Sequence, residues 1–191
     1  MNLPNTNASI SNGSRNSALE RPLNQVLLLG ALGLSLAGIH QAWDLSLGLP
    51  GHFGLVWMAS LICARAGSSL RFAALTTAIA YAGGASAFSG GTHSLFGHGP
   101  GYVVAALALD LAWRLSPSFA QRRLTAGLLG GFAFALKPLV TAVLVALIGI
   151  KAGSLSHGIG FPVLTHFCFG ATGAVIGALL WQGIHSSRAH A

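Results

Sequence analysis

Six apolar runs, several of them near the length a helix needs to cross a lipid bilayer, leave this chain of 191 residues few folds to choose from. The hydrocarbon core of a membrane takes about 20 apolar residues in helical form. The runs cover Leu23–Leu47, His52–Ala64, Leu70–Phe88, Gly101–Leu115, Leu124–Ile150 and Gly158–Ile184. The second and fourth are short, which calls for local bilayer thinning, snorkelling flanks or a turn that dips into the protein. Only 7% of residues are charged and 53% are hydrophobic, whereas a soluble domain carries about a quarter charged residues. The sequence therefore predicts an all-α integral membrane protein, a compact bundle of six transmembrane helices over residues 22–185.

The flanks differ in kind. Residues 1–21 are rich in Asn and Ser and nearly free of apolar side chains, so they bury too little surface to order themselves. They also lack the basic start and short apolar core of a cleaved signal peptide. Residues 1–21 are expected to form a disordered cytoplasmic tail, and residues 186–191 a short polar tail on the same side. The orientation comes from the basic residues. Arg15 and Arg21 precede the first run, Arg65 and Arg71 separate the second and third, Arg114, Arg122 and Arg123 separate the fourth and fifth, and Arg188 follows the sixth. The alternate connections hold only Lys151. An excess of Lys and Arg in alternate loops puts those loops, and so both termini, in the cytoplasm. The expected location is a bacterial inner membrane, crossed several times.

The net charge of +7 arises less from abundant bases than from a lack of acids, since Glu20, Asp44 and Asp110 are the only three. Single bases scattered between apolar runs make no basic patch with interleaved aromatics, which argues against nucleic-acid binding. Cys63 and Cys168 lie within apolar runs, where a thiol packs as a small hydrophobe, and no disulfide is expected.

On that topology the turn around Gly48–His52, the glycine-rich stretch Ser89–Pro100 and the stretch Lys151–Gly160 all face the outside. His40, Asp44, His52, His93, His98 and His157 gather at that face. His40 and Asp44 are four apart on a helical run and share a face. Imidazole and carboxylate together suit a divalent transition metal, so His40, Asp44 and His52 form a candidate metal set, with His93 or His98 able to complete it. The plainer reading puts these histidines at headgroup level, with Trp43 and Trp57 in an aromatic belt.

Lys137 is the costliest residue. It lies near the middle of the fifth run, where an ammonium costs at least about 2.5 kcal/mol on insertion scales. An intramembrane ionisable group calls for a named partner; the candidates are an anionic group of a substrate and His166 in the sixth run. Pro138 follows it and frees a backbone carbonyl, so a kink is expected there. Asp110 has Arg114 four residues on and is expected to pair with it, in a structural role. In the sixth run, Gly170, Ala174 and Ala178, and Gly173 and Gly177, fall at spacings that let helices approach closely, and Gly30 to Gly38 offer a weaker version in the first. Such faces serve the bundle's own packing or the docking of another membrane subunit.

With the six runs, the turn LGLPGH before a short second span, and the segment HGPGYVVAALALDLAWRL with its late Asp, the chain resembles the substrate-binding S component of an energy-coupling factor (ECF) transporter. The resemblance covers about Leu23–Ile184 and rests on architecture and loose motifs. It implies a binding subunit rather than an enzyme, one that captures a small vitamin-like solute or a transition metal ion at the extracytoplasmic face. It further implies partnership with a transmembrane coupling subunit and ATPase subunits. No phosphate-binding loop occurs in the chain, so ATP hydrolysis would belong to those partners. The implied site draws on His40, Asp44, His52, His93, His98, Lys137, His157 and His166. No cofactor is expected beyond a bound metal ion. The nickel and cobalt type begins with Met-His, whereas this chain begins MNLPN, which favours an organic solute.

Two other classes stand beside this one. A membrane enzyme would use the histidine cluster as general acid and base or with a metal. A structural assembly protein would carry its polar residues only at interfaces. The segment GATGAVIG is similar to the nucleophile segment of rhomboid proteases, but Thr172 takes the serine position and no later span supplies a base.

Overall fold

A computed structural model describes residues 22–42, 49–88, 99–116, 122–149, 155 and 158–189. The described residues are all-helical, with six helices and no strand. These are α1 (Pro22–Ala42), α2 (Gly54–Gly67), α3 (Ala73–Phe88), α4 (Gly99–Leu115), α5 (Arg123–Ile148) and α6 (Gly160–Ala189). All six expected runs appear as helices. Of the expected tails, residues 1–21 lie outside the described part, and α6 stays helical to Ala189 through residues the sequence assigns to the C-terminal tail.

Three helices, α1, α5 and α6, are long and apolar enough to cross a membrane. The other three are shorter. At 1.5 Å per residue, α2 spans only about 21 Å, against about 30 Å of hydrocarbon. Helices α2 to α6 close a ring of contacts in which α2 meets α3 and α6, and α4 bridges α3 and α5. Helix α1 lies outside that ring and packs chiefly along α3.

The core follows helical periodicity. On α4 the buried positions are Gly99, Gly101, Tyr102, Ala105, Ala106, Leu109 and Asp110, and on α6 they are Pro162, His166, Gly170, Gly173, Ala174, Gly177 and Ala178, each a stripe recurring at spacings of three and four. Large residues at the centre include Trp57, Met58, Leu61 and Ile62 of α2, the aromatics Tyr81, Tyr102 and Phe134, and Leu36 and Leu109. Most of the remainder is Ala or Gly. Large aliphatics point outward instead: Leu124 is 76% exposed and Leu147 75%. A surface so rich in exposed apolar side chains exceeds what soluble monomers carry and is compatible with a membrane protein.

The small residues of α6 are spent inside the bundle. A Cβ on Gly173 would stand 2.6 Å from the carbonyl oxygens of Gly54 and Leu55, and one on Gly177 would stand 2.6 Å from Ala59 O. On the α5 side, a Cβ on Gly130 would collide with Ala174 Cβ, and one on Gly170 would meet Phe134 Cβ at 2.6 Å. On α1, Gly33 closes against the Thr77 carbonyl of α3. The close-approach faces read from the sequence therefore serve the internal seams α2–α6, α5–α6 and α1–α3.

Asp110 differs from expectation. Its carboxylate pairs with Arg65 of α2, with Nε 3.3 Å from Oδ1. It also accepts from the amides of Ala74 at 3.3 Å and Leu75 at 2.9 Å. Those amides belong to the first turn of α3, where four N–H groups lack helical partners and a negative charge is favoured. Arg114, the expected partner, lies over the Phe72 ring at 4.4 Å instead. Tertiary geometry thus overrides the local spacing: the buried face of α4 that carries Asp110 is turned toward α3. Arg65 Nε touches Asp110 without the alignment of a hydrogen bond, and its Nη1 donates to Ser68 O at 3.3 Å and Leu70 O at 3.2 Å. Gln25 of α1 ties in by accepting from Ser68 Oγ at 2.8 Å and Ser69 N at 3.1 Å.

Candidate functional site

The opposite end of the bundle carries a second group of polar side chains. The turn at 49–53 connects into α2 through Gly51, whose φ of +87° favours glycine. Gly51 also lies against the His166 imidazole, where a Cβ would meet ring atoms at 2.8 Å. Phe53, next in the turn, stacks on His40 of α1 with centroids 4.2 Å apart and planes 12° apart. The turn thus packs across two histidines that lie far apart in sequence.

His40 Nδ1 hydrogen-bonds the Tyr81 hydroxyl of α3. The Tyr81 and Tyr102 rings meet edge to face, with centroids 4.7 Å apart and planes 63° apart. Trp57 packs on both, at 4.5 Å and 4.8 Å between centroids. Tyr102 reaches Phe134 of α5 at 5.9 Å, and Phe134 reaches His166 of α6 at 5.0 Å. Rings from all six helices or their connecting turn therefore meet in one cluster.

Lys137 completes it. Its Nζ lies 4.7 Å from the centroid of the Tyr102 ring, within cation–π range, and 3.3 Å from His166 Nε2. His166 Nδ1 lies 2.7 Å from Pro162 O. A carbonyl only accepts, so Nδ1 carries the hydrogen and donates; Nε2 then presents a lone pair to the Lys137 ammonium. The neutral Nδ1–H tautomer satisfies both contacts. The stem of Lys137 is held by α4, since a Cβ on Gly101 would stand 2.7 Å from Lys137 Cγ. Helix α5 continues through Pro138, and the Thr141 hydroxyl donates to Lys137 O at 3.0 Å.

Of the residues the sequence singled out, the structure unites His40, Lys137 and His166. His52 stands apart: its Nδ1 lies 2.9 Å from Leu49 O, within its own turn. Asp44, His93, His98 and His157 lie outside the described residues. Among the described residues no three potential metal-ligating side chains converge; the set His40, Asp44 and His52 includes Asp44, which lies outside them. Trp57, assigned by sequence to a headgroup belt, is fully buried in the cluster. Tyr81, Tyr102 and Phe134 were missed by sequence reasoning; their signal was three aromatic residues at core positions of three different runs. Thr172, at the position of a rhomboid nucleophile, donates to Cys168 O at 2.9 Å on an exposed face of α6, away from the buried His166.

Comparison of the chain with protein-family models, with curated proteins and with solved structures gave no match.

Chemically, the cluster offers one cation, two imidazoles each already hydrogen-bonded, two phenol hydroxyls, an indole N–H and several aromatic rings. Serine and cysteine nucleophiles are absent from it among the described residues. Such a set suits non-covalent recognition of a small molecule with an apolar ring and a polar end.

Proposed function

We propose that this chain is the substrate-binding subunit of an ECF-type importer, capturing a small, vitamin-like organic solute from outside the cell. In this reading all six helices cross a bacterial inner membrane, with both termini cytoplasmic. The arginine-bearing connections lie inside, and the His40–Tyr81–Tyr102–Lys137–His166 cluster lies toward the outer face. A transmembrane coupling subunit and ATPase subunits supply the energy. The observation that carries the reading is the convergence of polar and ring side chains from helices along the whole chain on one end of the bundle interior. Packing alone has no use for a lysine there, because methionine fills the same space without the insertion cost. An organic solute is favoured over a metal ion because the Lys137 ammonium within the cluster would repel a nearby cation.

The test is to purify the protein in mild detergent, denature it and identify by mass spectrometry any organic solute it releases. Wild type should retain a solute that Lys137→Met loses. A wild-type protein that carries nothing and binds nothing from a cell extract would turn the reading toward an assembly role. Topology is tested separately: a reporter active only in the periplasm should give signal when fused after Thr92 and none after Ser118, and the reverse pattern overturns the orientation.

A further inference from the structure

We infer that the solute bound at this cluster is an aromatic monocarboxylate, held by the Lys137 ammonium and the Trp57 indole N–H. The inference rests on the substrate-binding reading and adds the charge and shape of the ligand. Lys137 has no anionic partner among the described residues. Its neighbours there are the neutral Nε2 of His166 and the face of Tyr102. Asp110, the acid of the described core, is committed to Arg65 at the other end of the bundle.

The second observation is independent of that charge. Trp57 is 0% exposed, and its Nε1–H has no hydrogen-bond partner among the described residues. An indole nitrogen only donates, and buried donors without acceptors are rare. Trp57 and Lys137 both lie against the Tyr102 ring, with the indole at 4.8 Å and the ammonium at 4.7 Å from its centroid. Lys137, whose described acceptor is a neutral imidazole, and Trp57, whose N–H has none among the described residues, thus both lie against one aromatic ring. A carboxylate is acceptor-only, with two oxygens that can serve two donors at once. A single cation matches a single negative charge. The ring faces of Tyr81, Tyr102 and Phe134 favour a flat aromatic body over an aliphatic chain.

Three probes of nearly one shape separate the alternatives: benzoate, benzamide and benzylamine, titrated calorimetrically into the full chain in lipid nanodiscs. Benzoate should bind at least about tenfold more tightly than benzamide, the scale of a charge-assisted hydrogen bond. Lys137→Met should erase that preference, Lys137→Arg should retain it, and Trp57→Phe should weaken benzoate about tenfold while leaving benzamide within about threefold. Equal affinity for benzoate and benzamide overturns the inference, as does a benzoate preference that survives Lys137→Met. If Asp44, outside the described residues, is itself the counterion of Lys137, Asp44→Asn will create benzoate binding that wild type lacks, and the inference falls. Preference for benzylamine refutes the anion but leaves the solute-binding reading intact. Binding of none of the three refutes the ligand class, while the solute-release experiment independently decides the reading beneath it.

Discussion

Replacing Asp110 by Ala tests the bundle at the joint the sequence misassigned. Asp110 is fully buried, and Arg65 opposite it is 12% exposed. Removing the carboxylate strands a guanidinium with little access to water and leaves the amides of Ala74 and Leu75 without their acceptor. Breaking a buried pair by removing one partner costs about 3–5 kcal/mol, because the remaining charge stays desolvated. At about 2–4 °C per kcal/mol for a chain of this size, the thermal midpoint should fall by roughly 6–20 °C. The assay is thermal unfolding of the detergent-purified protein, followed by tryptophan emission. Arg65→Ala should fall less than Asp110→Ala, since the carboxylate it leaves keeps two amide donors. Arg114→Ala removes one cation–π contact with Phe72 and should cost about 1 kcal/mol or less. Replacing both partners, with Arg65→Met and Asp110→Leu, should recover part of the loss. An Arg114→Ala protein as damaged as Asp110→Ala would refute the assignment of the pair.

Two further outcomes are expected. Gly51→Ala should destabilise the protein by about 1–2 kcal/mol for the left-handed backbone alone, and should also reduce retention of any co-purified solute, because the new methyl collides with the His166 ring; unchanged stability and retention would remove the turn from the site. Purified protein alone in liposomes should show no sustained uptake of the solute it binds, and uptake that proceeds without partner subunits would rule out the S-component reading.

Six helices were legible in the sequence because apolar run length is a local property, and each run lies within a few residues of its helix. Lys137 stood out for the same reason, as a charge where the run is most apolar. What periodicity does not encode is helix rotation and neighbour order. Asp110 and Arg114 share an α4 face by spacing, yet the contact order α3–α4–α5 turns Asp110 onto α3 and Arg65. For the same reason His40 and His52, both near one end by sequence, separate: one joins Tyr81 and the other bonds its own turn. The aromatic half of the site was illegible because Tyr81, Tyr102 and Phe134 have the composition of ordinary core residues. Only their meeting at Lys137 distinguishes them.

Glycine substitutions put the same point in a form with opposite signs. By sequence, Gly30 on α1, Gly83 on α3 and Gly177 on α6 are alike, each a helical glycine near other small residues. In the structure a Cβ at Gly30 or Gly83 meets nothing within 4 Å, whereas one at Gly177 would stand 2.6 Å from Ala59 O and 2.9 Å from Ala59 Cα. Alanine in a helix interior is favoured over glycine by about 0.5–1 kcal/mol when space allows, since it limits the unfolded backbone. Gly30→Ala and Gly83→Ala should therefore raise stability by about that amount. At Gly177 the colliding atoms are backbone, so α2 and α6 must part, and overpacking of this kind costs about 1–3 kcal/mol. Separating those helices also stretches the contact in which Cys63 Sγ donates to Gly177 O at 3.5 Å. Unfolding midpoints of the three variants decide the matter. If all three shift with one sign, small residues act through helix propensity alone, and the α2–α6 seam is not the close contact described above.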